Sequence, residues 1–259
     1  MSFLYDYVDY IWCINYINTY KDLRKNLESQ FNYLNIDYSN ANLFSYINDF
    51  DNLPIDKTFN FYKNEYNNYV NNNNLLNRNI ESEEYNHKFF KLGYNLYKIC
   101  KLSLFNKYKR ILIFEDDIYS YNNLNVIKEY LNHIPNNYDI ISLAPHFFDN
   151  QFNYLIYSIN DYYIEHNIMY PFIYSGSAVI INEHTMKTYV KLVEEHNLLF
   201  PLDVYYLYYI NNCNICYSNK SLFSQKQHLD YTGHNEGFRI NLFKDNLEYR
   251  KYFYNYETN

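Results

Sequence analysis

The sequence predicts an α/β fold: a single domain over residues 1–259, with a central, mixed but mainly parallel sheet flanked by helices. Three observations predict it. Ile111-Leu112-Ile113-Phe114 is an unbroken apolar run that leads directly into Glu115-Asp116-Asp117. Such a run reads as a strand buried on both faces, as in a sheet covered by helices. Helical and strand patterns then alternate along the chain, which implies parallel neighbours in a doubly wound sheet. No linker and no internal repeat divides the sequence.

The first strand is expected over Val8 to Tyr16, centred on Ile11-Trp12-Cys13-Ile14. Thr19 can cap a following helix that carries Leu23, Leu27, Phe31 and Leu34 on one face. Leu43 to Ile47 is a second strand candidate. Residues 60–79 include Asn71-Asn72-Asn73-Asn74, lack a clear period and read as an Asn-rich loop or insertion. Glu83 to Asn106 is the best helix, with Tyr85, Phe89, Leu92 and Leu96 along an apolar face that continues through Ile99 or Cys100. It delivers the chain to the acidic strand. Asn122 or Asn123 then caps a helix with Leu124, Ile127 and Leu131 turned inward, and Pro135 closes it. Asp139 to Leu143 is the next strand. From Ala144 to Phe172 alternating apolar residues suggest short strands. Tyr174 to Asn182 reads as a loop with a small-residue approach point at Gly176-Ser177, followed by a buried strand. A helix from Glu183 to His196 carries Met186, Val190 and Val193 on one face. Pro201-Leu202-Asp203 opens another helix, and Ile215 to Phe223 is a last core strand. Residues 238–259 form a C-terminal tail.

Composition excludes several function classes. Net charge is −7 and the lysines and arginines are scattered, which argues against nucleic acid binding. The four glycines allow neither a G-x-G-x-x-G turn nor a Walker-type phosphate loop. No G-x-S-x-G elbow is present. Tyr 36 and Phe 19 stand against Trp 1, a bias shared with Asn, Ile and Lys that follows AT-rich codons. No secretory signal and no bilayer-length apolar run is visible, so the expected compartment is the cytoplasm (the host cytoplasm for a viral chain). Cys13 and Cys100 read as small core residues. Cys213 and Cys216 form a C-x-x-C, but no second pair or paired histidines complete a zinc site in sequence.

The acidic triplet falls at the carboxyl end of its strand, where open α/β sheets place ligands. Adjacent carboxylates repel unless a cation compensates them. Two readings follow from the residues: a divalent metal that carries a phosphorylated substrate, or a solvated acidic turn.

Taken together, several segments resemble glycosyltransferase family 25, the group containing lipopolysaccharide and procollagen galactosyltransferases, from about Tyr10 to Gln227. They are the strand ending Ile14-Asn15, the helix before the acidic strand, and Ile113-Phe114-Glu115-Asp116-Asp117. Tyr138 to Leu143, Gly176 to Ile181, Pro201-Leu202-Asp203 and Ser221 to Gln225 follow in order. Their order and spacing carry the resemblance. Two positions depart from the family pattern. Tyr16 follows Asn15, with Arg24 late, and Tyr97-Lys98 stand where the family tends to carry Ser-His.

The resemblance implies a GT-A type nucleotide-sugar-binding fold and a metal-dependent hexosyltransferase of glycan biosynthesis. Its donor would be a UDP-sugar, with galactose or glucose expected, and its acceptor a hydroxyl on a glycan or protein. Glu115, Asp116 and Asp117 would serve as the D-x-D-like motif that holds Mn²⁺ or Mg²⁺ against the diphosphate. Asp117 is the first choice as direct ligand, with Glu115 second. His228 and His234 are candidates for a further ligand, or exposed loop residues. Inversion would need a general base, with Asp203 first and Asp139 second; either could instead be structural. Asn15, Gly176 and Ser177 complete the expected nucleotide-sugar contacts. The alternative is a non-catalytic carbohydrate-binding or surface-associated protein that retains the fold.

Overall fold

The structure, a computed structural model, describes residues 2–15, 21–37, 42–45, 83–120, 122–147, 156–166, 173–174, 177–196 and 213–225. Strands β1 (Tyr10–Asn15), β2 (Asn42–Ser45) and β3 (Arg110–Glu115) lie together. They join β5 (Ile140–Ser142), β7 (Ile156–Ser158), β8 (Tyr163–His166), β10 (Ala178–Asn182) and β11 (Ile215–Ser218) in one 8-stranded sheet. The order is β2-β1-β3-β10-β5-β11-β8-β7. Strands β2, β1, β3, β5, β11 and β7 run one way, and β10 and β8 run the other. The sheet is thus mixed, with most strands in one direction.

Helices cover both faces, because strand side chains alternate sides. Ile111 and Ile113 pack against Leu96, Ile99 and Cys100 of α2 (Glu83–Phe105) and against Met186, Tyr189 and Leu192 of α4 (Glu183–His196). Leu112 and Phe114 pack on the other face, against Leu27 and Phe31 of α1 (Lys21–Tyr33) and Ile127 and Leu131 of α3 (Leu124–Asn132). The Asn123 side chain accepts from the Val126 amide and caps α3, as expected.

Two sequence expectations need correction. The strands expected as parallel neighbours, β3 and β5, keep that direction but do not touch. Strand β10 lies between them, antiparallel to both. The expected last strand over Ile215 to Phe223 is two strands. Residues after Ser218 leave the main sheet, and β12 (Phe223–Gln225) pairs with β4 (Ile118–Ser120) in a separate ribbon. A further two-stranded ribbon joins β6 (His146–Phe147) to β9 (Ile173–Tyr174).

Candidate functional site

Strand β3 is buried along Ile111 to Phe114 and releases the chain at Glu115. Asp116 and Asp117 form the turn into β4. This turn is held from three sides. The Glu115 amide donates to the Ser177 carbonyl at 3.1 Å, and the Ser177 hydroxyl donates to Glu115 Oε2 at 3.2 Å. Ser177 is fully buried, so its hydroxyl fixes one carboxylate oxygen from the protein side. From the α1 side, Asn26 Nδ2 donates to the Ile118 carbonyl at 2.9 Å, and Gln30 Oε1 accepts from the Ser120 amide at 2.9 Å. Ribbon β4–β12 closes the third side, with the Phe114 and Phe223 rings in edge contact at 5.4 Å.

Asn26 and Gln30 had no place in the sequence reading. A signal was present: they are polar residues four apart, each next to a buried apolar residue of α1, Leu27 and Phe31. Both are buried, and both serve the backbone of the strand that follows the acids.

The triplet sits at the carboxyl ends of the strands that share the β3 direction. Register pairs Ile14 with Glu115, so the backbone of Asn15 lies at the same edge. Ala178 pairs with Phe114, which brings Ser177 there too. Asp116 is buried. The electrostatic consequence shows one strand away. Cys13 is enclosed in the sheet, and burial pushes its thiol well above the usual range, with the negative charges of Asp116, Asp117 and Glu115 adding to the effect. Carboxylates massed at a strand end match the hard oxygen donors that Mg²⁺ and Mn²⁺ take. The residue types suit such an ion, although among the described residues the three carboxylates do not gather as a set of converging donors.

Glu115, Asp116, Asp117, Ser177 and the backbone of Asn15 are thus brought together. Asp139 is not. It precedes β5, whereas the triplet follows β3, and the two strands point the same way. Asp139 therefore stands at the opposite edge of the sheet, beside Asn182 and Asn214, offset from the triplet by about 16 Å along the strand direction alone at a rise of about 3.3 Å per residue. A general base must lie within hydrogen-bond reach of the proton it takes, so Asp139 cannot serve a reaction at the triplet. Its carboxylate instead accepts from Asn182 Nδ2 at 2.7 Å and from the Asn214 backbone amide at 2.8 Å, and so ties together three segments of the chain. Asp203, Gly176, His228 and His234 lie outside the described residues.

Tyr97 and Lys98 also have clear positions. The Tyr97 hydroxyl donates to Glu194 Oε1 at 2.9 Å, and Lys101 reaches the same oxygen at 2.8 Å, so this part of α2 is tied to α4. Lys98 lies over the Tyr94 ring.

No protein-family model and no curated protein matches the chain. Among solved structures it is similar to a glycosyltransferase involved in the glycosylation of the major capsid of PBCV-1. The identity is 10% and the TM-score 0.43, over 90% of this chain and 98% of that one. A likeness at that level carries no argument about activity. Among the described residues no helix is long and apolar enough to cross a membrane.

Proposed function

We propose that the chain is a GT-A type glycosyltransferase that moves a hexose, galactose or glucose, from a UDP-sugar to a hydroxyl on a glycan or protein, with inversion. The observation that carries this reading is the site at the end of β3. A buried strand delivers Glu115-Asp116-Asp117 to the carboxyl edge of the sheet, and Ser177 holds Glu115 in place. The shortage of glycine supports it as well, because the usual backbone phosphate cradles cannot form and side chains must anchor the diphosphate.

Asp117 and Glu115 would hold Mn²⁺ or Mg²⁺, with Asp116 supporting them from its buried position and His228 or His234 adding a ligand. When bound, the ion acts as a Lewis acid toward the leaving UDP. Ser177 orients Glu115 and, with Gly176, allows the donor close to the backbone. Asn15 lines the same edge. Asp203 takes the proton from the acceptor hydroxyl as the general base.

Calorimetric titration of UDP in the presence of Mn²⁺ tests the reading. UDP is expected to bind only with metal, and Asp117→Asn to weaken it about 100-fold or more, the loss of the several kcal/mol a bound divalent ion supplies. Metal-independent UDP binding, no binding at all, or an unchanged Asp117→Asn titration would each overturn it. Sugar binding without UDP binding would instead identify a non-catalytic carbohydrate-binding protein.

A further inference from the structure

The opposite edge of the sheet carries a second constellation. Asp139, His184 and Cys213 come from three separate segments: the start of β5, the first turn of α4 and the residues before β11. One donor atom of each, a carboxylate oxygen, an imidazole nitrogen and the thiol sulfur, lies within 4.8 Å of the other two. We propose that these three residues form a transition-metal site of the zinc class, with the remaining position taken by water.

Four observations carry the proposal. The first is the donor set. One sulfur, one nitrogen and one oxygen suit Zn²⁺, which is held by Cys, His and Asp in this mixed fashion, and they suit neither Mg²⁺ nor Ca²⁺. The second is charge. A thiolate and a carboxylate together balance a divalent cation, while the imidazole binds neutral. The third is preparation of the carboxylate. Both Asp139 oxygens already accept hydrogen bonds, from Asn182 Nδ2 and the Asn214 amide, which aim the group and leave further lone pairs for a metal. Hydrogen-bonded ligands of this kind are the rule at metal sites. The fourth is access. Cys213 is buried, Asp139 is half-buried and His184 is exposed, so the cluster opens to solvent on the His184 side.

The C-x-x-C spacing does not itself make this site. Cys213 packs with the core facing α2 and α4, and Cys216 packs with the core on the other face. Residues three apart on extended chain point to opposite sides, so the two thiols cannot hold one ion. Cys213 instead finds its partners across the sheet edge. Tetrahedral zinc sets its donors about 3.3–3.8 Å apart, so closure of the site draws the three groups together by no more than about 1.5 Å. Coordination replaces the S–H bond with a metal–sulfur bond and releases the thiol proton to solvent. The result is a clasp at the amino edge of the sheet, independent of the reading of the acidic triplet.

Co²⁺ titration of the metal-free chain tests this, because a cobalt–thiolate bond gives a charge-transfer absorption that an all-oxygen site cannot give. Equimolar Co²⁺ is expected to produce that band, equimolar Zn²⁺ to abolish it, and Zn²⁺ to raise the unfolding temperature. Cys213→Ser is expected to lose the band. His184 is exposed, so His184→Ala leaves folding intact, and its Zn²⁺ affinity is expected to fall at least 10-fold. Asn182→Ala removes both a hydrogen bond to the Asp139 carboxylate and the acceptor of the Thr185 amide at the start of α4, and is expected to cost roughly 10–100-fold. Absence of the thiolate band, its survival in Cys213→Ser, or an unchanged Zn²⁺ affinity in His184→Ala would overturn the proposal.

Discussion

Single carboxylates in this chain take their character from what surrounds them. Glu183 opens α4 and is paired with Lys109 and Lys187. Hydrogen bonds from these two lysines bring its pKa down from 4.5 to about 2. A folded-state pKa below the unfolded value gives stability that is complete above the unfolded pKa and is lost as pH falls through the folded one. The expected window therefore runs from pH 4.5 down to about 2. The groups are solvated, so the effect is small. Thermal unfolding of wild type and Glu183→Gln should show a modest difference above pH 5 that shrinks to nothing by about pH 2. A difference that persists at the acid end would mean the lysine pairs are not its source. Asp139 shows what a residue-level reading can miss. It matched a motif, but it precedes its strand while the triplet follows its own. In strands that share a direction those are opposite edges, so the sequence already held the information that separates them. Spacing could not reveal the grouping of Asp139 with His184 and Cys213, because the three belong to different elements.

At the scale of elements, the apolar patterns were legible wherever burial is two-sided or strictly periodic. Strand β3, strand β10, and helices α1, α2, α3 and α4 fall within a few residues of their expected bounds. Their neighbours were less legible, because backbone pairing is chosen by connections and not by side-chain period. Nothing in Ala178 to Asn182 says that this strand runs antiparallel between β3 and β5. The junction of β1 with α2 gives a test of element packing. Trp12 Nε1 donates to the Ser103 hydroxyl at 2.9 Å, and Ser103 is fully buried. Ser103→Ala would leave the indole N–H without its acceptor in the core, at a cost of about 1–3 kcal/mol. Trp12 is the only tryptophan, so its fluorescence reports the same contact. Denaturant unfolding followed at the indole is expected to shift its midpoint downward with an unchanged slope. A shift well below 1 kcal/mol would mean that another group takes the proton.

For the whole molecule, the sheet sets two chemistries at a distance. Carboxylates collect at one edge, after β3. A mixed sulfur, nitrogen and oxygen set collects at the other, before β5 and β11. Between them lie the apolar layers of β3, β5 and β10, buried on both faces. Sites separated by more than about 7–10 Å and sharing no partner should contribute independently, within about 0.5 kcal/mol. Asp117→Asn and His184→Ala therefore form an informative double-mutant cycle. UDP affinity with Mn²⁺ should fall with the first change and stay within about 2-fold with the second, while Zn²⁺ affinity should show the reverse. The double variant should lose both by the product of the single effects. A coupling larger than about 1 kcal/mol would mean that the strands transmit strain from one edge to the other, and that the two proposed sites influence each other through the sheet.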